Sequence, residues 1–158
     1  MFKKILHVRP NYTNTTGADL TFPTSYDPTL TFTTLRGSFS VPSDKRMIIR
    51  NILLYNYAAT AIKNVSTTAY RIFGTLYMNI NGSALVHALG EVSLGYPATS
   101  ATAAFTNPSI ITNLSMFIVL EGGDEVQVGL ILRAESTAIK LPPDATHSAS
   151  VLVSGILL

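Results

Sequence analysis

The groups with which this chain could do acid–base, nucleophilic or metal chemistry are three histidines and nine carboxylates. His7, His87 and His147 lie far apart, without the H-x₃-H spacing that puts two imidazoles on one metal. Glu121, Asp124 and Glu125 gather at one Gly-Gly turn, where hard oxygens could hold calcium. An Asp there also caps its own turn, with Gly122-Gly123 taking the unusual backbone angles, and that reading is preferred. A serine nucleophile needs a strained G-x-S-x-G turn, which is missing. Gly90-Glu-Val-Ser-Leu-Gly95 lacks the lysine of a phosphate loop and lies in a strand. Nothing points to the two carboxylates of a glycosidase. Tyr55, Tyr57, Tyr70, Tyr77 and Tyr96 could form a sugar-stacking face, but amphipathic tyrosines suit strand edges without a ligand. The expectation is no catalytic, cofactor or metal site, and no enzyme.

The elements that would position such groups are strands. Leu114, Met116, Ile118 and Leu120 alternate with Ser115, Phe117 and Val119, and after the Gly-Gly-Asp turn Val126, Val128, Leu130 and Leu132 alternate again. That pattern predicts an antiparallel hairpin. Further strands are expected at residues 30–39, 47–57, 70–80 and 84–94, with Asn81-Gly82 as a type I′ turn. Residues 58–68, 95–108 and 134–146 read as loops. The final strand, 148–158, is apolar on both faces, with Val151, Val153 and Leu157 opposite Leu152, Ile156 and Leu158. Seven or eight strands without an amphipathic helix predict an all-β antiparallel sandwich. Residues 1–28, with Pro10, Gly17, Pro23 and Pro28, read as an extended N-terminal arm preceding one domain, 29–158.

Composition narrows the partners. Charged residues are only 13%, about half the usual ~25%. Their place is taken by 33 Ser and Thr. Depleted charge suits a surface spent on assembly. The net charge is +2 and the basic residues are scattered, so no nucleic-acid partner is expected. The first residues, with Lys3 and Lys4 before a short apolar run, lack the cleavage site of a signal peptide. No run approaches the ~18 apolar residues of a membrane helix, so no membrane partner is expected. The chain has no cysteine. Its five N-x-[ST] triplets, such as Asn11-Tyr-Thr and Asn81-Gly-Ser, read as chance in a Thr-rich chain.

Two resemblances follow from particular motifs. Leu120-Glu-Gly-Gly-Asp124-Glu-Val126-Gln-Val128 resembles the L-x-x-G-D-x-V-x-V of the trimeric jelly rolls of the complement globular-head and tumour-necrosis-factor superfamily. Val153-Ser-Gly155-Ile-Leu-Leu158 is similar to that family's closing F-S-G-F-L-L, with Val153 and Ile156 in place of its aromatics. The layout is closer to small virion proteins of tailed bacterial viruses, whose I-x-x-I-x-x-x-N opening is matched by Ile49-Arg-Asn-Ile52-Leu-Leu-Tyr-Asn56.

These resemblances imply a jelly roll of about eight strands and a homotrimer that decorates or cements a viral capsid, assembled in the host cytoplasm. Tyr55, Tyr57, Val151, Val153, Ile156 and Leu158 are then the expected trimer interface, with plain intrachain core as the alternative for the terminal-strand residues. Phe2, Ile5 and Leu6 are expected to touch the major capsid protein or another virion protein. No cofactor is implied. The alternative is a carbohydrate- or receptor-binding module of a viral fibre or spike, acting through the 95–108 loop with Tyr96 and Phe105.

Overall fold

A computed structural model describes residues 2–82, 87–107 and 112–158. They form an antiparallel β-sandwich. The larger sheet contains β1 (Phe2–Val8), β2 (Asn11–Thr13), β3 (Leu20–Thr21), β5 (Met47–Asn64), β8 (Ala101–Asn107), β9 (Thr112–Leu120), β11 (Ile139–Leu141) and β12 (Thr146–Leu157). The smaller sheet runs β4 (Thr34–Ser40), β10 (Glu125–Ala134), β6 (Ile72–Ile80), β7 (His87–Gly95). The chain crosses between sheets at β3–β4, β4–β5, β5–β6, β7–β8, β9–β10 and β10–β11, which is jelly-roll wiring.

The central strand is β5, and its sequence explains its length. Its buried residues come in pairs, Met47/Ile49, Ile52/Leu54, Tyr57/Ala59 and Ile62/Asn64. Between them stand the less buried pairs Arg50-Asn51, Tyr55-Asn56 and Thr60-Ala61. At each such pair the register against a neighbouring strand shifts, the mark of a β-bulge. A five-residue rhythm defeats a period-two reading. Residues 58–64, expected as loop, therefore continue the strand.

β8 corrects a second expected loop. Ala101, Ala103, Phe105 and Asn107 are half-buried and alternate with exposed Thr102, Ala104 and Thr106. The alternation is there, but alanine and threonine carry too little apolar contrast to announce it. The expected 114–132 hairpin is also corrected. β9 pairs with β5, whereas β10 pairs with β4 and β6, so the Gly-Gly-Asp turn is a corner between sheets. Alternating segments around a tight turn fit either arrangement, since both direct their apolar residues to one core. The corner packs on the 42–45 turn, where a Cβ at Gly122 would overlap the Ser43 carbonyl oxygen.

The start of the expected arm, residues 2–8, is paired in the larger sheet. β1 lies antiparallel along β12 from Phe2↔Leu157 to Val8↔Val151, and Val8 is buried beside Gly37 of β4. The apolar side of β1, Leu6 and Val8, completes the sandwich; Leu6 packs against the core.

That core is made of facing aliphatic rows: Ile49, Ile52, Leu54, Val151 and Val153 from one sheet, Leu76, Met78, Val126, Val128 and Leu130 from the other. Each such burial contributes about 1.5–3 kcal/mol. Two of the N-x-[ST] triplets have a structural use. Asn14, fully buried, donates to the carbonyls of Ala18 and Leu141 (2.7 and 2.9 Å) and accepts from Thr16 N–H at 3.0 Å. Asn64 repeats the device, donating to Thr68 O and accepting from Ser66 N–H. Replacing Asn14→Ala leaves the Leu141 carbonyl without that buried donor and should cost about 1–2 kcal/mol in a urea titration. An unchanged midpoint would contradict the role given to this turn.

Candidate functional site

The outer face of the larger sheet is the candidate. Antiparallel pairing sets its side chains in rows across β1, β12, β5 and β9. One row is Lys3, Ile156, Ile48, Val119; the next is Ile5, Ser154, Asn51, Ser115; a third is His7, Leu152, Leu53, Asn113. The bulge at Arg50 lets its guanidinium sit 5.7 Å over the Phe117 ring. Phe117 is 65% exposed and Ile5 58%, and Val119 and Leu158 are also open. Lys3, Arg50, Ser154, Gly155 and Ile156 border a shallow hollow of about 380 Å³. A sheet face that carries this much aliphatic and aromatic surface among few charges has the composition of an interaction surface. Polar pairs interrupt it: Asn51 bonds Asn113, and the Tyr55 hydroxyl meets His7 Nε2.

The residues expected at a trimer interface divide. Tyr57, Val151 and Val153 are fully buried in the subunit's own core and have no surface left for a neighbour. Their side chains lie on the inward side of β5 and β12, which the two-sided apolar pattern of the terminal strand did not distinguish. Ile156 and Tyr55 lie half-buried on the outer face, and Leu158 is exposed beside it. Of the expected capsid contacts, Ile5 points out from β1, and Leu6 points into the sandwich. The Phe2 side chain lies outside the described residues, as does that of His87. Phe117, Val119, Leu53 and Leu152 were missed. The signal was present in β9, where Phe117 and Val119 alternate against the inward Met116 and Ile118.

Two of the groups that could do chemistry, His147 and Asp124, are held in structural hydrogen bonds. His147 is fully buried, its ring edge-on to Tyr12, Phe22 and Tyr57 at 6.2, 6.0 and 5.9 Å. Its Nε2–H donates to the Phe32 carbonyl at 2.6 Å, which leaves Nδ1 to accept from the Tyr57 hydroxyl at 2.9 Å. Burial pushes this imidazole down to about 4 and the Tyr57 phenol well up. At the corner, Asp124 accepts from Glu121 N–H at 2.9 Å and from the Asn81 amide at 2.8 Å, both of which hold its carboxyl below the usual range. Its oxygens cap the turn and clip it to Asn81, whose φ of 56° and that of Gly82, 65°, are those of the expected tight turn.

The tyrosines that could have formed a sugar-stacking face do not share one. Tyr57 and Tyr77 are buried, Tyr70 packs against the core, and Phe105 lies against Tyr57. Tyr96 is exposed and belongs to an alternating stack on the outer side of the smaller sheet. The Arg133 guanidinium sits 4.4 Å from the Phe73 ring and 5.5 Å from Tyr26; Arg71 sits 4.9 Å from Phe73 and 5.7 Å from Tyr96. Glu91 and Glu135 pair with the two arginines, each at 2.9 Å, and the Tyr26 hydroxyl donates to Glu91. Both carboxyls are held low by these bonds. The stack fastens the chain around Tyr26 to the smaller sheet.

Neither a protein-family model nor a curated protein matches this chain. Among solved structures it is similar to the Eiger TNF of S. frugiperda, at 12% identity over 95% of this chain and 92% of that one, with a TM-score of 0.35. It is also similar to the infectious bursal disease virus VP2 subviral particle, at 9% identity and TM-score 0.30, covering 98% of this chain and 32% of that one. For the native virion of Kashmir bee virus the values are 10% and 0.31, over 99% and 72%. At these scores the likenesses carry no conclusion about what this chain does.

Proposed function

We propose that this chain is a structural virion protein of a bacterial virus, a trimeric decoration or cement protein that acts by binding rather than catalysis. The observation that carries the reading is the outer face of the larger sheet, where Ile5, Ile48, Leu53, Phe117, Val119, Leu152 and Ile156 stand in adjoining rows. A patch of this kind on one sheet is covered without growing into fibres when a closed ring of copies buries it. Three subunits around Ile156 and Phe117 satisfy that condition, with Tyr55 and Leu158 at the margin. Ile5 and the neighbouring edge of β1 then lie where a capsid subunit attaches. The sequence likeness to trimeric jelly rolls and to small virion proteins supports the same reading.

Charge placed in the face should undo it. Ile156→Asp or Phe117→Asp puts three carboxylates into one desolvated interface, and each is expected to turn the trimer into a monomer at micromolar concentration. Light scattering reads the mass, and circular dichroism verifies that the sandwich remains. Trimers surviving both substitutions would sink this assignment of the interface.

A further inference from the structure

We propose that the seam between β1 and β4 docks an acidic, extended segment of a partner protein, which adds as a strand to the free edge of β1 and seats a carboxylate between Arg9 and Arg36. This extends the attachment role given to β1, and it rests on that reading only for the partner's being a virion protein.

Three observations meet here. The first is a cleft of about 450 Å³ between the two sheets' edge strands, lined by His7, Arg9 and Asn11 on one wall and Arg36 and Ser38 on the other. Its lining side chains offer guanidinium, amide and hydroxyl donors and no carboxylate. The second is unpaired charge. Lys3, Lys4, Arg9 and Arg36 make no ion pair with any described carboxylate, and no Asp or Glu precedes Asp19 in the chain. Arg9 donates to His7 Nε2 at 3.0 Å; desolvation first, and the Arg9 charge second, hold that exposed imidazole below its ordinary value. The cleft is thus a site of positive potential with a neutral histidine in it. The third is the edge itself. β1 is the end strand of its sheet, and its backbone pairs only with β12 among the described residues.

Together these select the occupant. An open strand edge is a template for another strand. Lysines and arginines along it repel the same edge of a second copy and attract an acidic one. Nucleic acid would use the charge but not the main-chain groups, and Tyr55, the nearest aromatic on the outer face, is engaged with His7. A carboxylate bound by two guanidiniums from opposite walls gains charge-assisted bonds that either wall alone cannot give.

Hexaglutamate serves as the probe, with hexaglutamine, inorganic phosphate and a deca-thymidylate strand as comparisons, followed by amide NMR shifts on the full chain. Hexaglutamate is expected to shift β1 and residues 36–38, to weaken at least tenfold in raised salt, and to raise the His7 pKa. The double variant Arg9→Glu, Arg36→Glu should lose the shifts while its melting curve stays that of a folded sandwich. The proposal is overturned if hexaglutamine matches hexaglutamate, if phosphate or the thymidylate strand produces the same shifts and hexaglutamate none, or if the double variant binds undiminished. Solution mass is unaffected by any of these outcomes, so this proposal and the trimer reading fail separately.

Discussion

Between about pH 7 and about pH 4.5 the folded chain is expected to lose about 2–3 kcal/mol through His147 alone. The cause is the closed aromatic site. Nδ1 is spent accepting the Tyr57 hydroxyl and Nε2–H is spent on the Phe32 carbonyl, so a second proton on the ring forces the buried Tyr57 hydroxyl to turn from donor to acceptor. Among the described residues no charged group faces the ring: its neighbours are Tyr12, Phe22, Phe32 and Tyr57. Burial therefore holds the pKa at about 4 in the folded chain. In the unfolded chain it returns to about 6.5. A depressed histidine keeps its full stabilisation above the unfolded value. Stability falls as pH drops below about 6.5 and levels off below about 4. The lowered carboxyls of Asp27, Glu91, Asp124 and Glu135 lose theirs only as pH falls beneath the ordinary carboxylate range, so they lie below this window. His7, also lowered but exposed, acts in the same direction, and a variant separates the two. Urea titrations of wild type and His147→Gln at both pH values should show the variant losing about 2–3 kcal/mol less. Equal pH dependence in the two proteins would refute the role assigned to His147.

Gly155→Val is expected to cost about 3 kcal/mol, through overpacking against main chain that has nowhere to move. Gly155 lies in β12 opposite Ile49, next to the register shift created by Arg50. A Cβ built there would overlap the Ile48 carbonyl oxygen, an atom of the central strand rather than a side chain free to swing aside. Accommodation requires β12 to separate from β5 where they build both the core and the outer face. The variant should show a lowered urea midpoint and weakened self-association together. Ser154→Val, one residue away on the outer face, serves as the comparison and should leave the midpoint within about 0.5 kcal/mol.

How much of this was legible in the sequence depended on which signal each segment carried. β6, β10 and β12 alternate cleanly, and the tight turn at Asn81-Gly82 was visible in its residue types. The sandwich followed from those. The partner of each strand did not, because alternation reports which residues face a core and not which strand lies alongside. So β9 and β10 read as a hairpin though they belong to different sheets. β5 hid its last residues behind three bulges, and β8 hid behind alanine and threonine. β1 read as an arm because Pro10 follows it closely and its apolar residues, Ile5, Leu6 and Val8, are few. The face of the terminal strand was the costliest ambiguity. With Val151 and Leu152 both apolar, sequence alone could not tell the core row from the surface row, and Tyr57, Val151 and Val153 were placed at the interface although they fill the core. The Phe117–Arg50 contact depends on a bulge and two distant strands, and no local pattern announces it.

The outer face of the larger sheet is the centre of this account, and the mass of the protein in solution tests it most directly. Sedimentation equilibrium at micromolar concentration should give three times the 17.0 kDa subunit mass. Ile156→Asp should give one subunit mass, with an unchanged far-ultraviolet spectrum. A wild-type chain that sediments as a clean monomer across that range would contradict the account.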